Sequence, residues 1–340
     1  MSPMSGVPAA PGGPAVRATP AFLALVGPTA SGKTALSIAV ARALDGEIVC
    51  MDSRQVYRGM DIGTAKATKE ERAAVPHHGL DLLEPGQRYS AGQFARDARA
   101  WITGIRARGR VPLLVGGSGF FLRALLAPIF AEPAMDRERR EALRRWLAAQ
   151  PRPTLERWAR RLDPARVALA AEGGPQRLSR TLEVALLTGR ALSDWHRSAP
   201  PDGEGLDGLV VRLDLARDEM DRRIATRARL MVERGLVREV EGLLAKGCGV
   251  AAPGMTGTGY REVVAYLLGE ATLEETIERI TGATRRYARR QLTWMRNQLP
   301  PDTVTVDAGL PLAEQVNAVV ETWRDRGGRA PRRTAPEEAR

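Results

Sequence analysis

The sequence predicts an α/β fold: a P-loop-containing parallel sheet covered by helices, with an all-helical insertion domain. Three observations carry that reading. Short apolar runs alternate with longer segments of helical spacing, one run leads straight into "GPTASGKT" at residues 27–34, and from about 136 to 200 the alternation gives way to consecutive helices. The 340 residues, 44% hydrophobic, suffice for a sizeable core.

In chain order, residues 1–20 are rich in Pro, Gly and Ala and read as a disordered tail. A first part of the core, 21–135, holds the apolar runs "AFLALV", "GEIVCMD" and "VPLLVGG", each bounded by Gly, Pro or Asp. The insertion, 136–205, contains "DRERREALRRWLAAQ", "TLERWARRL", "DPARVALAAEG" and "GPQRLSRTLEVALLTG", with Asp136, Thr154 and Asp163 as expected N-caps. A second part of the core, 206–325, resumes with the strand "GLVVRLDL" and the helices "DEMDRRIATRARLMVERG" and "TLEETIERITGATRRYARRQLTWMRNQ". Residues 326–340, "RGGRAPRRTAPEEAR", read as a second tail.

The formal charge of +11 and pI near 10.5 point to a polyanionic partner, and nearly all the positive charge is arginine. Arginine offers phosphate a planar fork and stacks on bases, which suits RNA. Clustering supports this: Arg285, Arg286, Arg289, Arg290 and Arg296 interleave with Tyr287 and Trp294 on one long helix. Cys50 and Cys248 fit neither a disulfide framework nor a metal cluster; both are expected reduced, Cys50 in the core. No apolar run reaches membrane-spanning length and the N-terminal segment lacks a leader's charged-then-apolar order, so the expected setting is cytoplasmic. The default oligomeric state is a monomer. His77 and His78 lack ligands at zinc spacing and read as turn or packing residues.

Gly27, Pro28, Thr29, Ala30, Ser31, Gly32, Lys33 and Thr34 have the spacing of a phosphate-binding loop, whose backbone N–H groups face one anion at a helix N-terminus. Lys33 adds a point charge and Thr34 a hydroxyl suited to Mg²⁺. The fingerprint is shared with ATP-binding proteins but does not specify ATP. A nucleotide-hydrolysing chain usually carries an acid at the end of a second strand, and "VPLLVGGSG" ends in Gly116, Gly117 and Ser118 instead. The acid comes earlier: Asp52 ends "GEIVCMD", at the edge where open α/β sheets bind ligands. It is a base facing a diphosphate, a helix cap or a Mg²⁺ ligand.

Six segments in order, "GPTASGKT", "MDSRQVYRGMDIGTAK", "VGGSGFFLRALL", "GPQRLSRTLEV", "GTGYREV" and "ATRRYARRQLTWMR", closely resemble tRNA dimethylallyltransferases, the isopentenyltransferases that modify tRNA. The resemblance runs from about Leu23 to about Leu299. It implies transfer of a dimethylallyl group from dimethylallyl diphosphate, with Mg²⁺, to N6 of the adenosine 3′ of the anticodon. The loop's anion would then be diphosphate, stabilised as it departs by the loop amides, Lys33 and Thr34-bound Mg²⁺. Asp52 would accept the proton of the weakly nucleophilic amino group.

The resemblance also assigns Arg223, and after it Arg227, to the diphosphate. It assigns Asp52, Ser53, Arg54 and Gln55 to the target base, Gln55 offering an amide to an adenine edge. Further tRNA contacts fall at Ser118, at Arg140, at Gln176, Arg177, Leu178, Ser179 and Arg180, and at Gly259, Tyr260 and Arg261. The basic helix adds Arg286 and Arg289, and the anticodon stem-loop is the expected partner. Departures from the family pattern occur at Gly174, where an Asp is expected, at Ser118 in place of Thr, and at Phe121, which lacks a phenol. Competing readings are a kinase or NTPase, which would turn over ATP, a transferase that prenylates free AMP or ADP, and a non-catalytic RNA-binding module, which would leave Asp52 and Lys33 without a role. The helical insertion and the basic aromatic helix favour a macromolecular acceptor.

Overall fold

The computed structural model describes residues 19–328; the two expected tails fall almost entirely outside them. In order, the elements are β1 (Leu23–Val26), α1 (Lys33–Ala43), β2 (Gly46–Cys50), α2 (Lys69–Ala74), β3 (His77–His78), α3 (Ala91–Ala107), β4 (Val111–Gly116) and α4 (Gly119–Leu126). Next come α5 (Arg137–Ala148), α6 (Arg152–Leu162), α7 (Val167–Glu172), α8 (Pro175–Thr188) and α9 (Leu192–Ser198). The chain continues with β5 (Leu209–Asp214), α10 (Arg217–Glu233), α11 (Leu236–Ala245), α12 (Tyr260–Leu267), α13 (Leu273–Gln298), β6 (Val304–Asp307) and α14 (Leu312–Asp325). It divides into two compact units, 127–205 and the remainder.

The larger unit is built on an all-parallel sheet of order β3-β2-β4-β1-β5-β6. A strand covered on both faces has no wet side, which is why "LALV" in β1 is apolar throughout and wholly buried between β4 and β5. Leu23, Leu25, Leu36, Val40, Val211 and Leu213 form the centre of the core, each buried leucine side chain stabilising the fold by roughly 2–3 kcal/mol. The four strands expected from apolar runs are β1, β2, β4 and β5. Two edge strands escaped that reading: β6, and the two-residue β3 made by His77 and His78. His78 Nε2 bonds the buried Glu47 carboxylate at 2.7 Å, so one of this pair has a packing role. Cys50 is buried in β2, and both cysteines are free.

The 127–205 unit is all helical, around Leu147, Leu155, Ala159, Ala170, Leu178 and Leu182. Asp136 caps α5 as expected, its Oδ1 accepting from Arg139 N at 2.8 Å. The other two expected caps are corrected. Pro151 precedes α6, with Pro153 in the first turn, so that helix begins before Thr154. Asp163 ends α6 instead of starting the next helix; its buried carboxylate accepts from Ser193 N at 2.9 Å. At Gly174, φ +79° starts α8, an unfavourable conformation for the Asp expected there.

Candidate active site

The phosphate loop joins β1 to α1 through Gly32, whose φ of +87° lets the chain turn directly into the helix. A Cβ there would also stand 3.9 Å from Nη1 of Arg223, which α10 extends over the loop. Not every amide of the eight residues is free for an anion. Pro28 has none, Thr29 N donates to Gln291 Oε1 at 2.9 Å, and Ser31 N donates to Pro28 O at 3.3 Å. The amides of Gly32, Lys33 and Thr34 have no hydrogen-bond acceptor among the described residues; they are the orphan donors of the α1 N-terminus. Lys33 Nζ donates to Gly27 O at 2.9 Å and Pro28 O at 2.6 Å. Loss of hydration, with the charge of Arg227 adding to it, lowers its pKa from 10.5 to about 7, against the opposing pull of Asp52.

Asp52 stands just past the end of β2 and divides its two oxygens between tasks. Oδ1 accepts from Arg54 N at 2.8 Å and Gln55 N at 3.4 Å, capping the turn that follows. Oδ2 has no hydrogen-bond partner among the described residues. Two cavities share Asp52 as wall. A pocket of about 60 Å³ is lined by Lys33, Thr34 and Ser37, and a cleft of about 590 Å³ by Arg54, Arg227, Arg286, Tyr287 and Arg290. Asp52 is the sole acid in the lining of either. The Thr34 hydroxyl, on the smaller pocket, has no hydrogen-bond partner among the described residues. An oxygen donor there suits a hard cation such as Mg²⁺.

The turn after Asp52 is held from several sides. Ser53 N donates to Ser118 Oγ at 3.2 Å, and the Arg54 guanidinium bonds Pro253 O and Thr256 Oγ1, tying the turn to the loop before α12. Gln55 Nε2 donates to Thr64 O at 3.1 Å and Ala65 O at 3.3 Å, so the amide expected at the adenine edge has its N–H groups spent on that loop. Glu239, which no motif contains, accepts from the amides of Asp61, Ile62 and Gly63 and from the Tyr260 hydroxyl at 2.6 Å. Tyr260 is 1% exposed in the wall of the larger cleft, and its ring packs where a Cβ on Gly63 would stand 2.5 Å away. Gly259 caps α12 with φ +95°, and Arg261 is exposed beside Glu262. Phe121 is a core residue stacked on Phe94, centroids 4.5 Å apart.

On α10, Arg223 and Arg227 share one face at i and i+4, beside the buried stripe of Ile224 and Ala228. Arg223 Nε pairs with Glu219 at 2.7 Å while Nη1 reaches the phosphate loop. Arg227 makes no ion pair closer than 4 Å among the described residues; burial lowers its pKa, and Asp52 opposes that shift. On α13, Arg286 and Arg290 line the cleft, whereas Arg289 is exposed away from its lining and Arg285 pairs with Asp221. Tyr287 is pushed up to about 12 by burial and by the Asp52 charge. Gln291 is the functional candidate that motif reading missed. Its signal is a polar residue on the buried stripe Ala288, Gln291, Met295.

The residues expected in the insertion form a cluster of their own in the 127–205 unit. Arg140 and Arg180 both pair with Glu132 and Glu183, and Arg144 also pairs with Glu183. Gln176 and Arg177 are exposed and Ser179 half-buried. Leu178 is 0% exposed, part of the unit's core, which corrects its expected place in an RNA contact.

Residues 55–298 match the family described as IPP transferase, and residues 20–77 the family described as isopentenyl transferase. The tRNA dimethylallyltransferase of Anaeromyxobacter sp. (strain K) is 47% identical over 277 residues, covering 82% of this chain and 90% of that protein. That of Methylococcus capsulatus is 42% identical over 294 residues, covering 86% and 94%. The crystal structure of the full-length tRNA isopentenylpyrophosphate transferase from Bacillus halodurans matches at TM-score 0.64 and 34% identity, covering 90% of this chain and 97% of that one.

Proposed function

The chain belongs to the IPP transferase family of tRNA dimethylallyltransferases, and on that premise we propose that it transfers a dimethylallyl group from dimethylallyl diphosphate to N6 of the adenosine 3′ of the anticodon, releasing diphosphate. One observation carries the reading. The sole acid of the site stands where an anion pocket and a larger, arginine-lined cleft meet, with one oxygen unspent. A reaction between a diphosphate ester and a nucleobase needs that arrangement, a proton acceptor between two binding spaces.

In this reading the donor's diphosphate lies on the amides of Gly32, Lys33 and Thr34, with Lys33, Arg223 and Arg227 around it. The adenosine leaves its stack and enters the cleft from the α13 side, its phosphates met by Arg286 and Arg290. N6 attacks the allylic C1, the C1–O bond breaks, and Asp52 Oδ2 takes the proton from nitrogen as the new C–N bond forms. Charge accumulates on the departing oxygen, where the α1 N-terminus and Lys33 already point positive ends. The Thr34 hydroxyl would hold Mg²⁺, which would supply further neutralisation of diphosphate charge. With Asp52 spent on N6, no acid in the cavity lining is left to orient a hydrolytic water, which disfavours an ATPase. A single chain supplies every group named, so the acting unit is taken as a monomer, working in the cytoplasm on tRNA.

The test incubates the purified protein with Mg²⁺ and radiolabelled dimethylallyl diphosphate, with unmodified tRNA, AMP or ATP in parallel. Label in tRNA alone, located by digestion to the adenosine 3′ of the anticodon, is expected. Label in AMP would replace this reading with the free-nucleotide transferase, and ATP consumption without label transfer would replace it with a kinase or NTPase.

A further inference from the structure

Gln291 is 7% exposed, and both ends of its side-chain amide are committed. Oε1 accepts from Thr29 N of the phosphate loop at 2.9 Å, and Nε2 donates to Gly117 O at 3.0 Å. The loop after β4 is shaped to admit it: a Cβ on Gly117 would lie 2.1 Å from Gln291 Nε2, and one on Gly119 would lie 2.1 Å from the Trp294 ring. Two of the three glycines in "VGGSG" thus make room for two side chains three residues apart on α13. Tyr287, one turn earlier on the same helix, lines the cleft with Arg286 and Arg290.

We propose that Gln291 is a positioning residue: it fixes the phosphate loop and the 116–119 loop to the helix that faces RNA, so that the diphosphate site is formed to full strength only while α13 is docked. The RNA-facing role of α13 rests on the function proposed above; the docking of α13 on the two loops does not. The physical reason is local. Thr29 N precedes the three orphan amides by a few residues, and Gly27 to Gly32 close the turn between β1 and α1. Releasing Thr29 leaves a donor unpaired in a half-buried loop and lets the loop sample conformations in which those amides no longer converge. A side chain that only filled space at this position would not need two specific, oppositely directed hydrogen bonds.

The experiment uses the full chain, inorganic diphosphate with Mg²⁺ as the anion probe, an unmodified anticodon stem-loop as the RNA probe, and amide hydrogen exchange. Gln291→Met keeps the length and removes both bonds. The expected result is about tenfold weaker diphosphate binding, faster exchange in residues 27–34 and 116–119, a matching rise in donor KM, and RNA affinity within about twofold of the parent. Gln291→Glu keeps the acceptor and removes the donor. Protection at 27–34 is expected to survive there while that at 116–119 disappears, and this variant decides the matter if the Met variant does not fold. Unchanged exchange at 27–34 in a folded Met variant overturns the proposal, as does loss of RNA affinity with diphosphate affinity intact. In the Glu variant, protection kept at both loops overturns it equally. A parent that binds diphosphate but labels no tRNA would fail the reaction reading alone.

Discussion

Arg140, Arg144 and Arg180 of the 127–205 unit converge on Glu183, 2% exposed, whereas Arg227, Arg286 and Arg290 of the core line a cleft whose sole acid is Asp52. In the first region each guanidinium has its counter-ion within the unit, and the cluster closes on itself. Burial would raise the Glu183 pKa; hydrogen bonding and charge from Arg144, then the charges of Arg140 and Arg180, more than offset it and hold the carboxyl below its usual range. In the second region positive charge is left in excess around one carboxylate. Arginine clusters therefore serve two ends: the first set stabilises a helical unit, and the second leaves a field that an anion would complete.

The sharpest way to break that comparison is to remove the lone acid of the cleft. Asp52→Ala is expected to lower kcat for transfer by about 10³-fold, within the range for a general base, while the affinity for tRNA stays within about threefold. Single-turnover transfer and filter binding separate the two. Asp52→Asn keeps the capping of Arg54 and Gln55 through its carbonyl oxygen and is expected to lose nearly as much activity, which assigns the loss to the proton acceptor and not to the turn. Near-parental turnover in Asp52→Asn would remove the base from the mechanism.

Next in size is the acid of the closed cluster. Glu183→Ala leaves three arginines facing one another in a half-buried site and is expected to destabilise the 127–205 unit by about 3–5 kcal/mol, read as a shifted first transition in denaturant. The matching change in the core, Arg286→Ala with Arg289→Ala, should move stability by no more than about 0.5 kcal/mol, since both side chains are exposed. Its effect belongs to RNA: the slope of log affinity against log salt should fall by about 0.7 for each phosphate deprived of its arginine. If the pair destabilised the fold while Glu183→Ala only weakened RNA binding, the two regions would have exchanged roles.

Sequence and structure part company at identifiable residues. The four strands were legible because a parallel strand covered on both faces is apolar through most of its length, and the phosphate loop because its spacing serves one geometry. β3 and β6 were not, since edge strands of two and four residues bury too little to leave a period. Asp52 was legible as an acid at the carboxyl end of a strand, but the division between a capping Oδ1 and an unspent Oδ2 is a property of the turn after it. Leu178, and the hydroxyl of Tyr260, serve packing because motifs mix residues that touch a ligand with those that hold them in place. In "GTGYR" the ring is the anchor on Glu239, and in "QRLSR" the leucine is core. Glu239 and Gln291 lie outside local reading altogether, since their partners are about 175 and 260 residues away.

The smallest predicted effect concerns pH and sets Lys33 against both regions, because burial brings its pKa close to neutrality. Its pKa in the folded chain is about 7, below the ordinary 10.5, so between those values the unfolded chain holds a proton that the folded one lacks. The resulting penalty on folding is complete below pH 7 and disappears as pH rises through 10.5, so this residue makes the anion-free protein gain stability with rising pH. Diphosphate binding runs the other way. The anion favours the ammonium, binding above pH 7 takes up a proton, and affinity falls as pH rises through 7. From about pH 6 to about pH 8 this contributes a loss of up to about tenfold, on top of the titration of diphosphate itself. Comparing the parent with Lys33→Met by calorimetry in buffers of different ionisation enthalpy isolates it. The variant should bind more weakly at about pH 6, show the shallower pH dependence, and take up less proton on binding. Equal proton uptake by the two would mean that the lysine does not change its protonation state on binding.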